Sequence, residues 1–216
     1  MKSKTMTLAC TLALAATFLQ SIPASAQTAV ASPRVRLAES IKVIQDETTA
    51  TRDQLKATVE ALNALTKQEK GDLLPTYDNY VAQVKKTHEA SDTTASRISA
   101  MQTASKDYFD AWQAEIAGIN NQALRDQAQK RMDNVVKKYN EVIASFTEAS
   151  DKFKPFLSNL DDVQKMLAND TTPGGVKAIR GVASDANWYM KKVNSSLNDA
   201  IEELGEMAKS LSSKTD

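Results

Sequence analysis

The chain has 216 residues, with 27 basic and 27 acidic side chains, one cysteine and one histidine. This balance argues against nucleic-acid binding, which requires a basic surface. A single histidine excludes a two-histidine zinc helix, and a single cysteine excludes an internal disulfide. We therefore expect no catalytic residues, no metal ligands and no cofactor.

The first 26 residues predict a secretory signal peptide. Lys2 and Lys4 precede an uncharged apolar stretch over about residues 6–22, and Ala24-Ser25-Ala26 is a small-residue cleavage site before Gln27. An uncleaved membrane anchor is the alternative, although the apolar stretch is slightly short for a span of ~20 residues. We expect export across the inner membrane, with the protein residing in the periplasm.

Cleavage after Ala26 would remove Cys10, the only cysteine, and would leave 190 residues with 25 basic and 27 acidic side chains. Lipidation at Cys10 is disfavoured because few apolar residues precede it. The rest of the chain has no apolar run that predicts a transmembrane span.

The region after the signal predicts four long helices in one domain, over residues 34–211, between a flexible tail at 27–33 and a flexible C-terminus at 212–216. Helix one runs from about Arg34 to Lys70 and is closed by Gly71 as a left-handed cap. Helix two continues to about Gly118. Gly118 and the asparagines at 120–121 predict a turn there.

Helix three is predicted from Gln122 to about Ala168, with a kink near Phe153 because Pro155 cannot donate to the helical hydrogen-bond ladder. The loop at 169–175 contains Thr172 as an N-cap candidate and Pro173 at a first helical position. Helix four is predicted to follow this loop and to run to about Ser210.

Apolar and small residues recur at alternating steps of four and three in all four helices, as in a coiled coil. The stripes run over 37–65, 128–167 and 176–211. In helix two the predicted stripe is Tyr77, Val81, Val84, His88, Ser91, Ala95, Ile98, Gln102, Ser105, Phe109, Trp112, Ile116 and Ile119. Short connections make sequential helices antiparallel, so the expected fold is all-α, an elongated antiparallel bundle of about four coiled-coil-like helices.

Few side chains indicate reaction chemistry. His88 is predicted to be a packed, hydrogen-bonded interior residue because it falls on the stripe, with a pH-switch role as the alternative. The acidic pairs Asp161-Asp162 and Glu202-Glu203 are predicted to be solvated, because adjacent helical residues point in different directions. The loop at 169–175 lacks the spacing and the lysine of a phosphate-binding loop.

Two blocks resemble a bacterial family catalogued only as a domain of unknown function. They are Tyr108-Phe109-x-x-Trp112 and the segment from Asp170 to Ile179, which contains Thr-Pro-x-Gly-Val. The likeness extends over about residues 35–210. It implies an exported or lipid-anchored all-helical protein and brings no established activity. This chain differs from the lipid-anchored members because it has no cysteine placed for lipidation, which argues against a membrane anchor here.

We expect a non-enzymatic exported scaffold or adaptor that acts through contacts with a protein partner, in an oligomeric state that the sequence leaves open. A periplasmic chaperone or stress protein is one alternative. Leu65–Glu69 is superficially similar to the Leu-Thr-x-x-Gln signature of one such group, except at Glu69. A carrier of a lipid or small apolar ligand is another, since serine and threonine in the stripes predict lightly packed layers.

Helix lengths predict both a core layer and a contact surface. Folding the chain about its turns places Leu62, Val84 or His88, Phe153 or Phe156, and Trp188 at similar heights. The same operation places Arg34 level with Trp112 and Leu211 level with Arg131, so that residues 113–130 project beyond the outer helices. The candidate partner contacts are the apolar residues at this end, Trp112, Ile116, Ile119 and Leu124.

Overall fold

The computed structural model describes residues 31–212, which fold into five α-helices and contain no strand. The helices are α1 (Pro33–Lys67), α2 (Leu74–Ala117), α3 (Gln122–Asn169), α4 (Pro173–Ala178) and α5 (Arg180–Leu211). The expected all-α class is therefore confirmed. The predicted signal peptide, its cleavage site, Cys10 and residues 213–216 lie outside the described part of the chain.

Polar side chains cap three helices at their amino ends, where backbone N–H groups lack an intrahelical partner. Ser32 accepts a hydrogen bond from the Val35 N–H at 3.4 Å, so that α1 begins at Pro33. Asn121 caps α3 through the Leu124 N–H at 3.1 Å. Thr172 caps α4 through the Gly175 N–H at 3.2 Å, as predicted.

Two predicted helix boundaries are wrong. The helix α1 ends at Lys67, and its C-cap is Gln68 in an extended conformation; Gly71 does have a positive φ of 85°, but it lies in the following loop. The predicted fourth helix is divided at Ile179, where ψ is −5°. Val176 in α4 and Ile179 directly after it are both buried, so the break in the helix lets this segment pack against the end of the core. Helix α3 continues through Pro155.

The four long helices pack antiparallel, each against two neighbours, as the short connections predict. The register is given by one contact for each pair: Arg36 with Asp107 for α1 and α2, Tyr80 with Leu160 for α2 and α3, Lys152 with Ser196 for α3 and α5, and Arg34 with Leu211 for α1 and α5. Helices α1 and α2 share a long interface, as do α3 and α5. The interface between α2 and α3 is the least extensive of the four.

The core consists of two apolar clusters along the bundle. One contains Leu62, Val84 and Phe156 at the end near the α1–α2 turn. The other contains Ile44, Met101 and further residues near the opposite end. The predicted stripes of α1, α3 and α5 are buried or partly buried throughout. Trp188 is 55% exposed, so its predicted place in the core layer is wrong.

The predicted stripe of α2 is wrong at His88, Ala95 and Gln102, whereas its positions 84, 105 and 116 are buried as predicted. At each of the three wrong positions the buried residue is the preceding one in the sequence, namely Thr87, Thr94 or Met101. The hydroxyls of Thr87 and Thr94 lie 2.7 Å from Thr58 and 2.8 Å from Thr51 on α1. A buried hydroxyl requires a partner, so these pairs turn the threonines of α2 toward α1.

Candidate functional site

The end of the α2–α3 hairpin, residues 113–130, is called the tip. Helix α1 begins and α5 ends beside Trp112 and Arg131, in the walls of one cleft. Helix α2 continues past Trp112 to Ala117, a distance of about 8 Å at 1.5 Å per residue. Among residues 31–212, neither α1 nor α5 flanks the outermost part of the tip, in agreement with the helix lengths.

The four predicted contact residues occupy different environments at the tip. Leu124 is 56% exposed, and Ile119 in the turn is partly buried. Trp112 is also partly buried, with its ring centroid 5.3 Å from that of Tyr108. Ile116 is only 2% exposed, so its prediction as a surface contact is wrong. Its side chain is therefore not available at the surface of the tip.

A cleft of about 720 Å³ lies at the base of the tip and is called the end cleft. Its walls include the amino end of α1, the carboxyl end of α5 and the aromatic side chains of Tyr108 and Trp112. The guanidinium of Arg34 donates through Nε to the Leu211 carbonyl at 2.9 Å, and its Nη2 donates to the same oxygen. This places a cation at the carboxyl end of α5, where the helix dipole favours positive charge.

The end cleft contains two basic groups and one acidic group. Arg34 and Arg131 line it together with Glu115. Burial raises the pKa of Tyr108, and the negative charge of Glu115 adds to this effect, whereas the positive charges of Arg34 and Arg131 oppose it. Arg131 makes no hydrogen bond or ion pair with another described residue. The cleft therefore combines an aromatic wall with an available guanidinium.

A second cavity, of about 100 Å³, lies between the two core clusters and is called the seam cavity. No charged residue lines it. Its walls are formed by Thr51, Ser91, Thr94, Ala95, Ile98, Phe146, Ala149, Ser150, Phe153, Val193 and Leu197. Small and hydroxylated residues at this level leave space that larger apolar side chains would fill.

His88 lies on the least extensive helix interface and not in the interior that was predicted for it. Its side chain is 43% exposed, and its Nε2 lies 2.9 Å from Oδ1 of Asp161. The predicted hydrogen bonding is thus present, whereas the predicted burial is wrong because Thr87 occupies the buried position. Within residues 31–212, no group of three or more histidine, cysteine, aspartate or glutamate side chains could hold a metal ion.

Arg34, Arg131 and Tyr108 were not predicted as site residues. The helix lengths had already placed Arg34 level with Trp112 and Leu211 level with Arg131, which was the signal in the sequence for this cleft. The predicted contact residues were all apolar and so did not include the arginines.

No helix in the described region combines the length and apolar character that a membrane crossing requires.

The protein is an all-α antiparallel bundle in which the end of the α2–α3 hairpin projects past α1 and α5. The chain belongs to the family described as Protein of unknown function (DUF2959), whose model matches residues 27–211. This match confirms the resemblance to a family of unknown function. No curated protein matches the chain.

Proposed function

We propose that this protein is a non-enzymatic scaffold or adaptor of the bacterial cell envelope, and that the tip binds a protein partner. The observation that carries the proposal is the exposed Leu124 at the end of a hairpin that extends past α1 and α5. The predicted signal peptide and cleavage after Ala26 are the grounds for a periplasmic location.

The architecture favours this role because the tip is formed by the ends of α2 and α3, which belong to the bundle. Ile116 on α2 is buried, and Gln113 on α2 donates to Gln129 on α3 at 3.4 Å. Below them the two helices enter the four-helix layer. An exposed apolar side chain on such a support can enter a partner's pocket with little loss of conformational entropy.

The test is site-specific photo-crosslinking of the protein in intact cells, with the crosslinker at position 124 or at position 74. Leu74 is a matched control because it is 54% exposed, and, like Leu124, it lies in the first turn of a long helix. We expect one dominant crosslinked protein from position 124 and none from position 74. Equal products from both positions, or no product from position 124, would refute tip binding.

The variants Leu124→Asp and Leu74→Asp then test whether the contact contributes to affinity. Aspartate in the first turn of a helix interacts favourably with the helix dipole, so both variants should keep the wild-type melting temperature. We expect only Leu124→Asp to lose the partner. Loss of folding by Leu124→Asp would place this residue in the core and end the proposal.

A second candidate function is transport of a small apolar ligand, which the seam cavity favours. A cavity of about 100 Å³ without charged walls suits a neutral group of roughly benzene size or one end of a longer chain. Val193 is buried in its wall, so Val193→Ile should reduce its volume. Solvent extraction followed by mass spectrometry should find an apolar molecule in the wild-type protein and less in this variant. Wild-type protein without a bound apolar molecule would refute this candidate.

A chaperone role is the remaining alternative, and no comparable feature of residues 31–212 favours it.

A further inference from the structure

The end cleft has the properties of a ligand site, and it adjoins the tip. Its volume of about 720 Å³ falls within the ~300–1,000 Å³ typical of ligand pockets. Residues from α1, α2, α3 and the end of α5 contribute to its walls. A group bound there would contact all four long helices.

The charges of the cleft favour a ligand with one negative charge. Arg34 is held by the Leu211 carbonyl. Arg131 makes no hydrogen bond or ion pair within residues 31–212, so its guanidinium can present its fork of donors to a carboxylate. Glu115 in the same wall repels additional negative charge. A phosphate dianion or a run of acidic residues fits this arrangement less well than a single carboxylate.

The aromatic wall favours an apolar group next to that carboxylate. The rings of Tyr108 and Trp112 are 5.3 Å apart at their centroids and line the cleft together. A terminal carboxylate with an adjacent apolar side chain occurs at the carboxyl end of a polypeptide, and capture of that terminus is a recurring mode of peptide recognition. Glu115 could also accept a hydrogen bond from the backbone of such a peptide.

We propose that the end cleft binds the C-terminal residue of a partner polypeptide, with its carboxylate at Arg131 and Arg34 and its apolar side chain against Tyr108 and Trp112. This inference deepens the proposed adaptor function and rests on it, since the cleft is the base of the surface that would meet the partner. The carboxylate supplies the specificity, and the exposed Leu124 adds a second contact farther along the tip.

Tryptophan fluorescence gives a local readout of this binding. The chain has two tryptophans, and Trp188 is exposed on α5, so the variant Trp188→Phe leaves Trp112 as the sole emitter. The probes are acetyl-Ala-Ala-Ala-Leu with a free carboxylate, the same peptide as its amide, and acetyl-Ala-Ala-Asp-Ala-amide, with inorganic phosphate as a competitor. We expect saturable binding of the free acid, at least ten-fold tighter than either amide and insensitive to millimolar phosphate.

Arg131→Ala in this background should reduce the affinity for the free acid to that for the amide. Arg97→Ala is the matched control, because Arg97 is an exposed arginine on α2 outside the cleft, and it should leave the affinity unchanged. Glu115→Gln should make binding sensitive to phosphate. Circular dichroism of each variant should match that of the parent protein.

Several outcomes would overturn the inference. These are no binding of the free acid, equal binding of acid and amide, equal binding of the internal aspartate peptide, competition by phosphate in the parent protein, and no effect of Arg131→Ala. None of them depends on the cellular partner. Failure of the peptide experiment with persistent crosslinking from position 124 would leave the adaptor function standing and remove only the terminus-binding cleft.

Discussion

Replacement of Phe156 by alanine tests the packing of the core cluster near the α1–α2 turn, which also contains Leu62 and Val84. Phe156 on α3 is fully buried, whereas Phe153, one turn earlier, is partly exposed, with the two ring centroids 5.9 Å apart. Removing a fully buried phenylalanine costs ~3–5 kcal/mol through lost transfer free energy and the cavity left behind. Phe153→Ala should cost about half as much, because part of its surface is already in water and it lines the seam cavity.

The measurement is urea denaturation followed by far-UV circular dichroism. Both variants are compared with the wild type by using the same dependence of the free energy of unfolding on urea concentration. A loss of ~3–5 kcal/mol should also lower the melting temperature by roughly 10 °C in a domain of this size. Phe153→Ala is the internal control, since it removes the same atoms from the same helix. If the two variants were equally destabilised, or if Phe156→Ala had no effect, the assignment of the core face of α3 would be refuted.

Two further predictions concern a glycine and a buried tyrosine. Gly175→Ala should destabilise the protein because the added Cβ would lie 2.0 Å from the Asp170 carbonyl oxygen, whereas Gly181→Ala meets no atom within 4 Å and should stabilise the protein by ~0.5–1 kcal/mol; thermal melts check both. Burial raises the pKa of Tyr80, whose hydroxyl donates to the Leu160 carbonyl at 2.7 Å. The folded state therefore holds this proton more tightly, and the corresponding stability is complete below pH ~10 and is lost as the pH rises further. Urea denaturation between neutral and alkaline pH should show a smaller alkaline loss for Tyr80→Phe than for the wild type.

These two predictions fail in distinct ways. A stable Gly175→Ala variant would mean that the loop before α4 can move away from the added methyl group. For the tyrosine, an unchanged alkaline loss in Tyr80→Phe would assign the effect to other groups. Burial also raises the pKa of Tyr77 and Tyr139, so the variant should retain part of the loss.

The faces of α1, α3 and α5 were predictable from periodicity. Apolar or small residues recur every three or four residues in each of these helices, and burial of one such stripe is favourable in any bundle that accepts it. Capping residues at Asn121 and Thr172 also act locally, since their hydrogen bonds reach only three residues along the chain. Sequence alone therefore predicted the four long helices and their antiparallel order, although it missed the break between α4 and α5 at Ile179.

The face of α2 was decided by tertiary structure. Thr87 and Thr94 carry polar hydroxyls, so a pattern of apolar residues does not identify them as buried positions. The selection comes from Thr58 and Thr51 on α1, whose hydroxyls pair with those of Thr87 and Thr94. Such a partner lies 29 or 43 residues away in the chain and is invisible to a helical pattern.

The end cleft depends on tertiary structure for the same reason. Arg34 lies near the start of α1 and Arg131 lies in α3, with the whole of α2 between them in the sequence. Only the bundle register brings them to one cleft beside Trp112. Ile116 and Leu124 are both apolar residues of the tip, yet Ile116 is buried and Leu124 is exposed. Sequence determined which residues could lie at this end, and the packing of the helices determined which of them are exposed.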